Sequence, residues 1–256
     1  MSEYVLTQLK DNVLWITLNR PKKFNSITGK MFYRLTEVLK STKDDEKVAL
    51  VVLTGGDCKM YSAGSDFSPA EFSDILDSND TPIPYKLFVD AMITFPKPVI
   101  ALVNGPAIGM SVTTLGLMDN VICADNATFF CPFGDYGLVP EAGSSYTLLK
   151  TMGHQKAAAM LLFSEQFTAQ EAYVAGLVTK ILPAASFKEE TEKLIKKYSK
   201  LSPQTLLVGK RLMRTENDID QLLHVNRKEE LIIRKCFTSE DTMNRLAEKF
   251  SKGSKL

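Results

Sequence analysis

Hydrophobic positions change their period along this chain. Tyr4 to Leu9 and Val13 to Leu18 alternate around Lys10-Asp11-Asn12, which predicts two paired strands. Val48 to Leu53 is apolar at every position, as expected of a short strand buried on both faces, and Gly55-Gly56-Asp57 ends it. Pro96-Lys97-Pro98 leads into a second such run, Val99 to Val103. Between them, Thr28 is placed to cap a helix whose apolar face is Met31, Phe32, Leu35, Val38 and Leu39. Ser111 to Met118 reads as helical, and Asp119 to Ala124 and Thr128 to Phe130 as strands. The second half has mainly helical spacing. Thr168-Ala169-Gln170-Glu171 has the form of a capping box, with Gly176 as the stop. Several amphipathic helices follow Ser186, one broken at Ser202-Pro203. The pattern predicts an α/β protein with a strand-helix core over residues 1–185 and a helical region over 186–256.

Composition narrows the class. Of 256 residues, 45% are apolar and 24% charged, enough for a core without disulfides or metal. The net charge of +1 and the lack of a basic stripe disfavour nucleic-acid binding. No apolar run approaches a membrane span, and Met1-Ser2-Glu3-Tyr4 has no secretory pattern. Cys58, Cys123, Cys131 and Cys236 form no C-x-x-C pair and read as reduced, mostly buried residues. The two histidines, His154 and His224, have no metal-ligand spacing, so no metal site is expected.

Two glycine-containing loops follow buried strands: Tyr61-Ser62-Ala63-Gly64-Ser65-Asp66 and Asn104-Gly105-Pro106-Ala107-Ile108-Gly109-Met110-Ser111. A strand-to-helix loop presents unpaired backbone N–H groups, and glycine permits close approach. Such loops hold a phosphate or a developing oxyanion, or are simply tight turns. Neither matches a dinucleotide or P-loop motif.

Four segments, in order, resemble the crotonase or enoyl-CoA hydratase/isomerase family. Asn19-Arg20-Pro21-Lys22-Lys23-Phe24-Asn25-Ser26 is similar to its "NRP…NA" motif, and Ser62 to Asp66 to its "AGAD" loop. Lys97 to Gly105 resembles "KPVIAAVNG", and Thr168 to Val178 resembles "TAEEALEAGLV". The resemblance implies a spiral of strand-strand-helix repeats with a C-terminal helical trimerisation region. It also implies an acyl-CoA thioester substrate with no separate cofactor, and assembly as a homotrimer or a dimer of trimers. By position, the family's two oxyanion donors fall on the N–H groups of Ala63 and Met110, and Ser62, Gly64, Asp66 and Gly109 are expected to line the substrate and CoA site. Such donors favour the transition state because charge reaches the thioester oxygen only as the α-proton leaves. Lys22 and Lys23 are placed to meet the phosphates of CoA or to be plain surface lysines. Asp66 is a second acid or a partner of loop amides.

The two glutamates of family hydratases fall on Thr113 and Phe133, neither of which can act as a base. Instead, Glu141 in Pro140-Glu141-Ala142-Gly143 is similar to the base of the peroxisomal type of 3,2-enoyl-CoA isomerase. Read without the family, an acid after a proline at a helix start also complements the helix dipole. The expected reaction is the shift of a 3-enoyl-CoA double bond to trans-2-enoyl-CoA in fatty-acid β-oxidation. The alternatives are hydration, another thioester reaction, or acyl-CoA binding without catalysis. Ser254-Lys255-Leu256 matches the peroxisomal address, which implies an import receptor as partner and a matrix location.

Overall fold

The computed structural model describes residues 4–68, 71 and 82–251. Its main sheet has six strands in the order β1-β2-β3-β4-β6-β9. These are β1 (Val5–Lys10), β2 (Val13–Leu18), β3 (Leu50–Thr54), β4 (Val99–Val103), β6 (Asn120–Ala124) and β9 (Lys180–Leu182). Within this sheet only the β1–β2 pair is antiparallel; β2, β3, β4, β6 and β9 pair in parallel. A small second sheet joins β5 (Ala107–Ile108), β7 (Thr128–Phe130) and β8 (Phe167–Thr168).

The uniformly apolar runs have a direct cause. Val51, Leu53, Val99, Ala101, Val103, Val121 and Cys123 face one core, together with Leu35, Leu39 and Phe88. Leu50, Val52, Ile100, Leu102, Ile122 and Ala124 face a second core, closed by Phe187 and Ile195. Residues of period two therefore serve opposite faces, and both faces are covered. The first face takes the helices α1 (Gly29–Thr42) and α2 (Pro84–Thr94). As expected, the Thr28 side chain caps α1 by accepting from the Met31 N–H at 3.3 Å. Two very short helical pieces, α3 (Met110–Thr113) and α4 (Phe133–Tyr136), follow β5 and β7.

The remaining helices are α5 (Ser144–Met152), α6 (His154–Leu161), α7 (Ala169–Val174), α8 (Phe187–Tyr198), α9 (Pro203–Met213), α10 (Glu216–Phe237) and α11 (Glu240–Ser251). The capping box at Thr168 is present, and Gly176 follows α7 with φ +86°. The helices after residue 186 are not a separate layer. Leu222, Ile233 and Phe237 of α10 are buried in the same core as β3, β4 and α2. α8 covers the opposite face of the main sheet. His154 and His224 are exposed, at the start of α6 and within α10. Among the described residues, no helix is long and apolar enough to cross a membrane.

Candidate active site

Because β2, β3 and β4 run parallel, the segments that follow them leave the same edge of the sheet. Buried amides lock those segments together. Asn25 Nδ2 donates to the carbonyls of Gly55 and Tyr61 at 3.0 and 3.2 Å, and its Oδ1 accepts from the Arg20 N–H at 2.8 Å. Asn104 Oδ1 accepts from the Gly55 N–H at 3.0 Å, and its Nδ2 donates to Cys58 at 2.7 Å. Ser62 Oγ donates to the Asn25 carbonyl at 2.8 Å and accepts from the Gly64 N–H at 3.1 Å, so Ser62 is a strut of this loop. The Arg20 guanidinium ion-pairs with Asp66 and donates to the Ser26 carbonyl at 3.1 Å. Burial pushes the Asp66 carboxyl up. The hydrogen bonds from Ser68 and Arg20 outweigh it and hold the group below the usual carboxylate range. Asp66 is thus a structural anion with its lone pairs engaged, unsuited to take a proton.

The backbone donors differ from the expectation in one place. The Ala63 N–H donates to the Phe24 carbonyl at 2.9 Å, so it is not free to meet an oxyanion. Two residues on, Ser65 forms a parallel bridge with Ile27. There Ile27 donates to Gly64 and accepts from Asp66, both at about 2.8–2.9 Å, which turns the Ser65 N–H to the opposite side. Among the described residues that N–H has no acceptor, and neither does the N–H of Met110, the first residue of α3. The two residues touch, with Ser65 Oγ 3.7 Å from Met110 Sδ. Two glycines permit this. A Cβ on Gly64 (φ +82°) would lie 2.5 Å from the Ile108 carbonyl oxygen. Gly109 takes φ +56°, and its own N–H donates to Phe130 at 2.7 Å, so Met110 faces inward.

Glu141 sits three residues before α5 rather than at its first turn; the helix begins after Gly143, which takes φ +74°. The residue is 6% exposed, and no donor among the described residues reaches its carboxylate. Burial, and secondarily the charge of Glu229, push its carboxyl up to about 8. Glu229 of α10 accepts from the N–H groups of Gly143 and Ser145 at 2.6 and 3.0 Å, and so fixes the turn that carries Glu141.

Glu141 faces two adjoining cavities. The smaller, about 40 Å³, also touches Ser65, Gly109, Met110 and Phe133. The larger, about 280 Å³, is mostly apolar and is lined by Ile27, Phe32, Ile83, Tyr85 and Phe237, with Ser65 at the junction. The carboxylate of Glu141, which has no donor among the described residues, and two unpaired N–H groups therefore border a single space. Thr113 is buried and its hydroxyl donates to the Met110 carbonyl at 3.2 Å; Phe133 lines the smaller cavity. Neither position offers a carboxylate. Lys22 and Lys23 are exposed on a single 3-10 turn and line neither cavity. Ser254, Lys255 and Leu256 lie outside the described residues. Among the described residues, no group of three or more His, Cys, Asp or Glu side chains could hold a metal ion.

Sequence reasoning missed Arg20, Asn25 and Asn104 as loop struts, and Tyr85, Glu229 and Phe237 as parts of the site. Asn25 left a signal: asparagine tolerates the left-handed backbone found there (φ +55°). Glu229 left none, being 86 residues from Gly143.

A carboxyl raised by folding makes the fold less stable as pH rises. Unfolded, the Glu141 carboxyl ionises near 4.5; folded, it keeps its proton up to about 8. Its contribution is whole below pH 4.5, declines between 4.5 and 8, and is lost above. At about 1.4 kcal/mol per tenfold of proton affinity, the full loss is on the order of 5 kcal/mol. Wild type and Glu141→Gln should unfold at similar denaturant near pH 4.5, and the Gln protein should be the more stable above pH 8. Chemical denaturation of both across that range measures it; parallel curves would place the charge of Glu141 in water.

The Enoyl-CoA hydratase/isomerase family model matches residues 8–252. A Caenorhabditis elegans protein without a functional name is 58% identical over 100% of this chain and 99% of its own length. Enoyl-CoA delta isomerase 2 of Rattus norvegicus is 40% identical over 100% of this chain, which spans 65% of that protein. Enoyl-CoA delta isomerase 3, peroxisomal, of Mus musculus is 40% identical over 89% of this chain and 72% of its own length. The crystal structure of an enoyl-CoA hydratase/isomerase from Pseudoalteromonas atlantica superposes with a TM-score of 0.88 at 29% identity, covering 98% of both chains. The spiral fold expected from the sequence is therefore present, and the chain belongs to the crotonase, or enoyl-CoA hydratase/isomerase, family.

Proposed function

We propose that the protein moves the double bond of a 3-enoyl-CoA to the 2-position, giving trans-2-enoyl-CoA. The observation that carries this reading is the lone carboxylate of Glu141, desolvated and bordering the same space as the Ser65 and Met110 N–H groups. Glu141 takes the C2 proton. The electron pair left on C2 delocalises into the thioester carbonyl and the C3–C4 double bond, forming a dienolate. The Ser65 and Met110 N–H groups receive the charge that grows on the thioester oxygen. Protonated Glu141 then returns the proton to C4, leaving the double bond between C2 and C3. No atom enters or leaves, so no water needs to be held.

Burial suits this task, since a base for an α-proton works best with its pKa near the working pH. In this reading the acyl chain takes the larger, apolar cavity, and Lys22 and Lys23, exposed outside it, take the phosphates of CoA. Thr113 and Phe133, which cannot activate water as paired carboxylates do, speak against hydration. The names of the rat and mouse relatives speak for isomerisation. Incubation with 3-hexenoyl-CoA should give the conjugated 2-enoyl product, followed by its absorbance, with little 3-hydroxyacyl-CoA. Accumulation of the 3-hydroxy product would make hydration the reaction instead.

The same reading places the protein in peroxisomal β-oxidation, supported by Ser254-Lys255-Leu256 and by the name of the mouse relative. A fluorescent protein fused to the N-terminus should collect in peroxisomes and become cytosolic when those three residues are deleted. An unchanged distribution after deletion would remove the targeting role.

A further inference from the structure

Two buried polar groups in the larger cavity lack partners of complementary kind. The Tyr85 hydroxyl, in the first turn of α2, is enclosed and has no hydrogen-bond partner among the described residues. The Glu141 carboxylate has no donor there. Both groups line the same cavity of about 280 Å³. A buried hydroxyl or carboxylate left without a partner is destabilising, so a native interior that keeps both needs a state that satisfies them.

We propose that Tyr85 is a positioning residue for Glu141: its O–H donates to the ionised carboxylate, directly or through one water, when an acyl chain fills the cavity. The proposal rests on the reading of Glu141 as the base. Other roles for the hydroxyl find little support in the cavity. The thioester oxygen goes to the backbone donors, and the rest of a simple enoyl chain has no polar atom to receive an O–H.

The neighbouring charges are already engaged. On α10, Glu229 holds the Gly143 and Ser145 N–H groups, while Glu230 accepts from the Ile83 N–H at 3.1 Å and pairs with Arg234 at 3.0 Å. In the cavity wall, Asp66 is paired with Arg20, and Glu71 accepts from the Gly29 N–H at 2.8 Å. Of the three carboxylates lining the cavity, Glu141 alone has no donor among the described residues. The cation in that lining is Lys30, on α1, the element that carries Phe32 into the wall. The Cys131 thiol, raised by burial and by Glu141, stays protonated and adds no charge.

A donated O–H would do two things for a shuttling base. It would fix the carboxylate in one plane, from which its oxygens reach C2 and C4 in turn. It would also favour the ionised form, opposing the burial that raises it. Loss of the hydroxyl should therefore slow the chemistry and move the titration upward, without weakening binding of the substrate.

The test is Tyr85→Phe, which keeps the ring. With 3-hexenoyl-CoA, kcat at neutral pH should fall roughly ten- to a hundredfold, the range of a hydrogen bond to a charged group, with KM within about twofold. The midpoint of the rise of kcat with pH should move up by about one pH unit in the same comparison. Unchanged kcat and midpoint would overturn the proposal and leave the hydroxyl as packing. A raised KM with normal kcat would overturn it too, in favour of direct contact with the chain. A wild type that leaves 3-hexenoyl-CoA unchanged would sink the isomerase reading separately. Glu141's own titration still decides on Tyr85 in that case. It is read as the pH-dependent stability difference between each background and its Glu141→Gln partner, with a saturated hexanoyl-CoA bound. An upward move in the Tyr85→Phe background supports the pairing, and an unmoved titration overturns it.

Discussion

Glu141→Gln should reduce isomerisation of 3-hexenoyl-CoA by two to four orders of magnitude, roughly 3–5 kcal/mol of barrier, while acyl-CoA binding stays nearly unchanged. Glutamine keeps the shape of the side chain but cannot accept a proton at neutral pH. It removes an interaction needed as the C2 proton leaves, so the loss should fall on kcat rather than KM. In the wild type, activity should rise with pH as the carboxyl, held up to about 8 in the free protein, loses its proton. The Gln protein should show no such rise. An acid that only complements the start of a helix would behave differently, costing at most about 1 kcal/mol of stability and sparing the rate. The structure already weakens that second reading. Glu141 precedes the first residue of α5 by three positions, and its carboxylate receives no N–H from the first turn. A folded Glu141→Gln protein with full activity would sink the base assignment. Asp66 would not inherit the role, because its oxygens accept from Arg20, Ser26 and Ser68.

The strand-helix core was legible because its residues obey local rules. Val99 to Val103 is apolar at every position, since alternate side chains enter two different cores, and it forms a strand with those same ends. Thr28 and Thr168 cap helices as their spacing requires. Glu141 was legible only through the family, because its neighbours in sequence suggest a helix-start acid. What surrounds it comes from far away: Phe237 of α10 and Tyr85 of α2 line the same cavity, and the charge of Glu229, also on α10, adds to the effect of burial. The oxyanion pair was half legible. Met110 follows from its place at the start of a helix. The choice between Ala63 and Ser65 depends on which N–H the Phe24 carbonyl engages, and that is set by two consecutive left-handed residues, Phe24 (φ +51°) and Asn25 (φ +55°). Phenylalanine rarely adopts that conformation, so no local preference announces it. Buried bonds from Asn25 to Gly55 and Tyr61 hold the turn in place, and such bonds are tertiary facts.

Gly64→Ala should cost catalysis about a hundredfold or more through the backbone alone. Its φ of +82° disfavours any L side chain, and the new Cβ would lie 2.5 Å from the Ile108 carbonyl oxygen. Backbone on both sides must move, and the atoms that move carry the Ser65 and Met110 N–H groups. Removing one donor of this kind commonly costs 10²–10³-fold in kcat, because pre-aimed dipoles lose their value with small misplacement. Ground-state binding relies on the acyl cavity and should change much less, so the loss is again expected in kcat. The stability cost should be about 1–3 kcal/mol for strain and overpacking. Gly109→Ala separates the two causes. Its φ of +56° with ψ of −122° is a conformation L side chains avoid, but a Cβ there meets nothing within 4 Å, so only the backbone strain is penalised, by about 1–3 kcal/mol. It should fold readily and still lose activity, because relaxing that angle re-aims the Met110 N–H. Gly209→Ala in α9, also with nothing within 4 Å, serves as the control: it should gain up to about 1 kcal/mol and keep full activity. The measurements are kcat, KM and denaturant midpoint for all three proteins. Full kcat in folded Gly64→Ala and Gly109→Ala proteins would show that the two loops need not be held in register, and the paired-donor mechanism would fall.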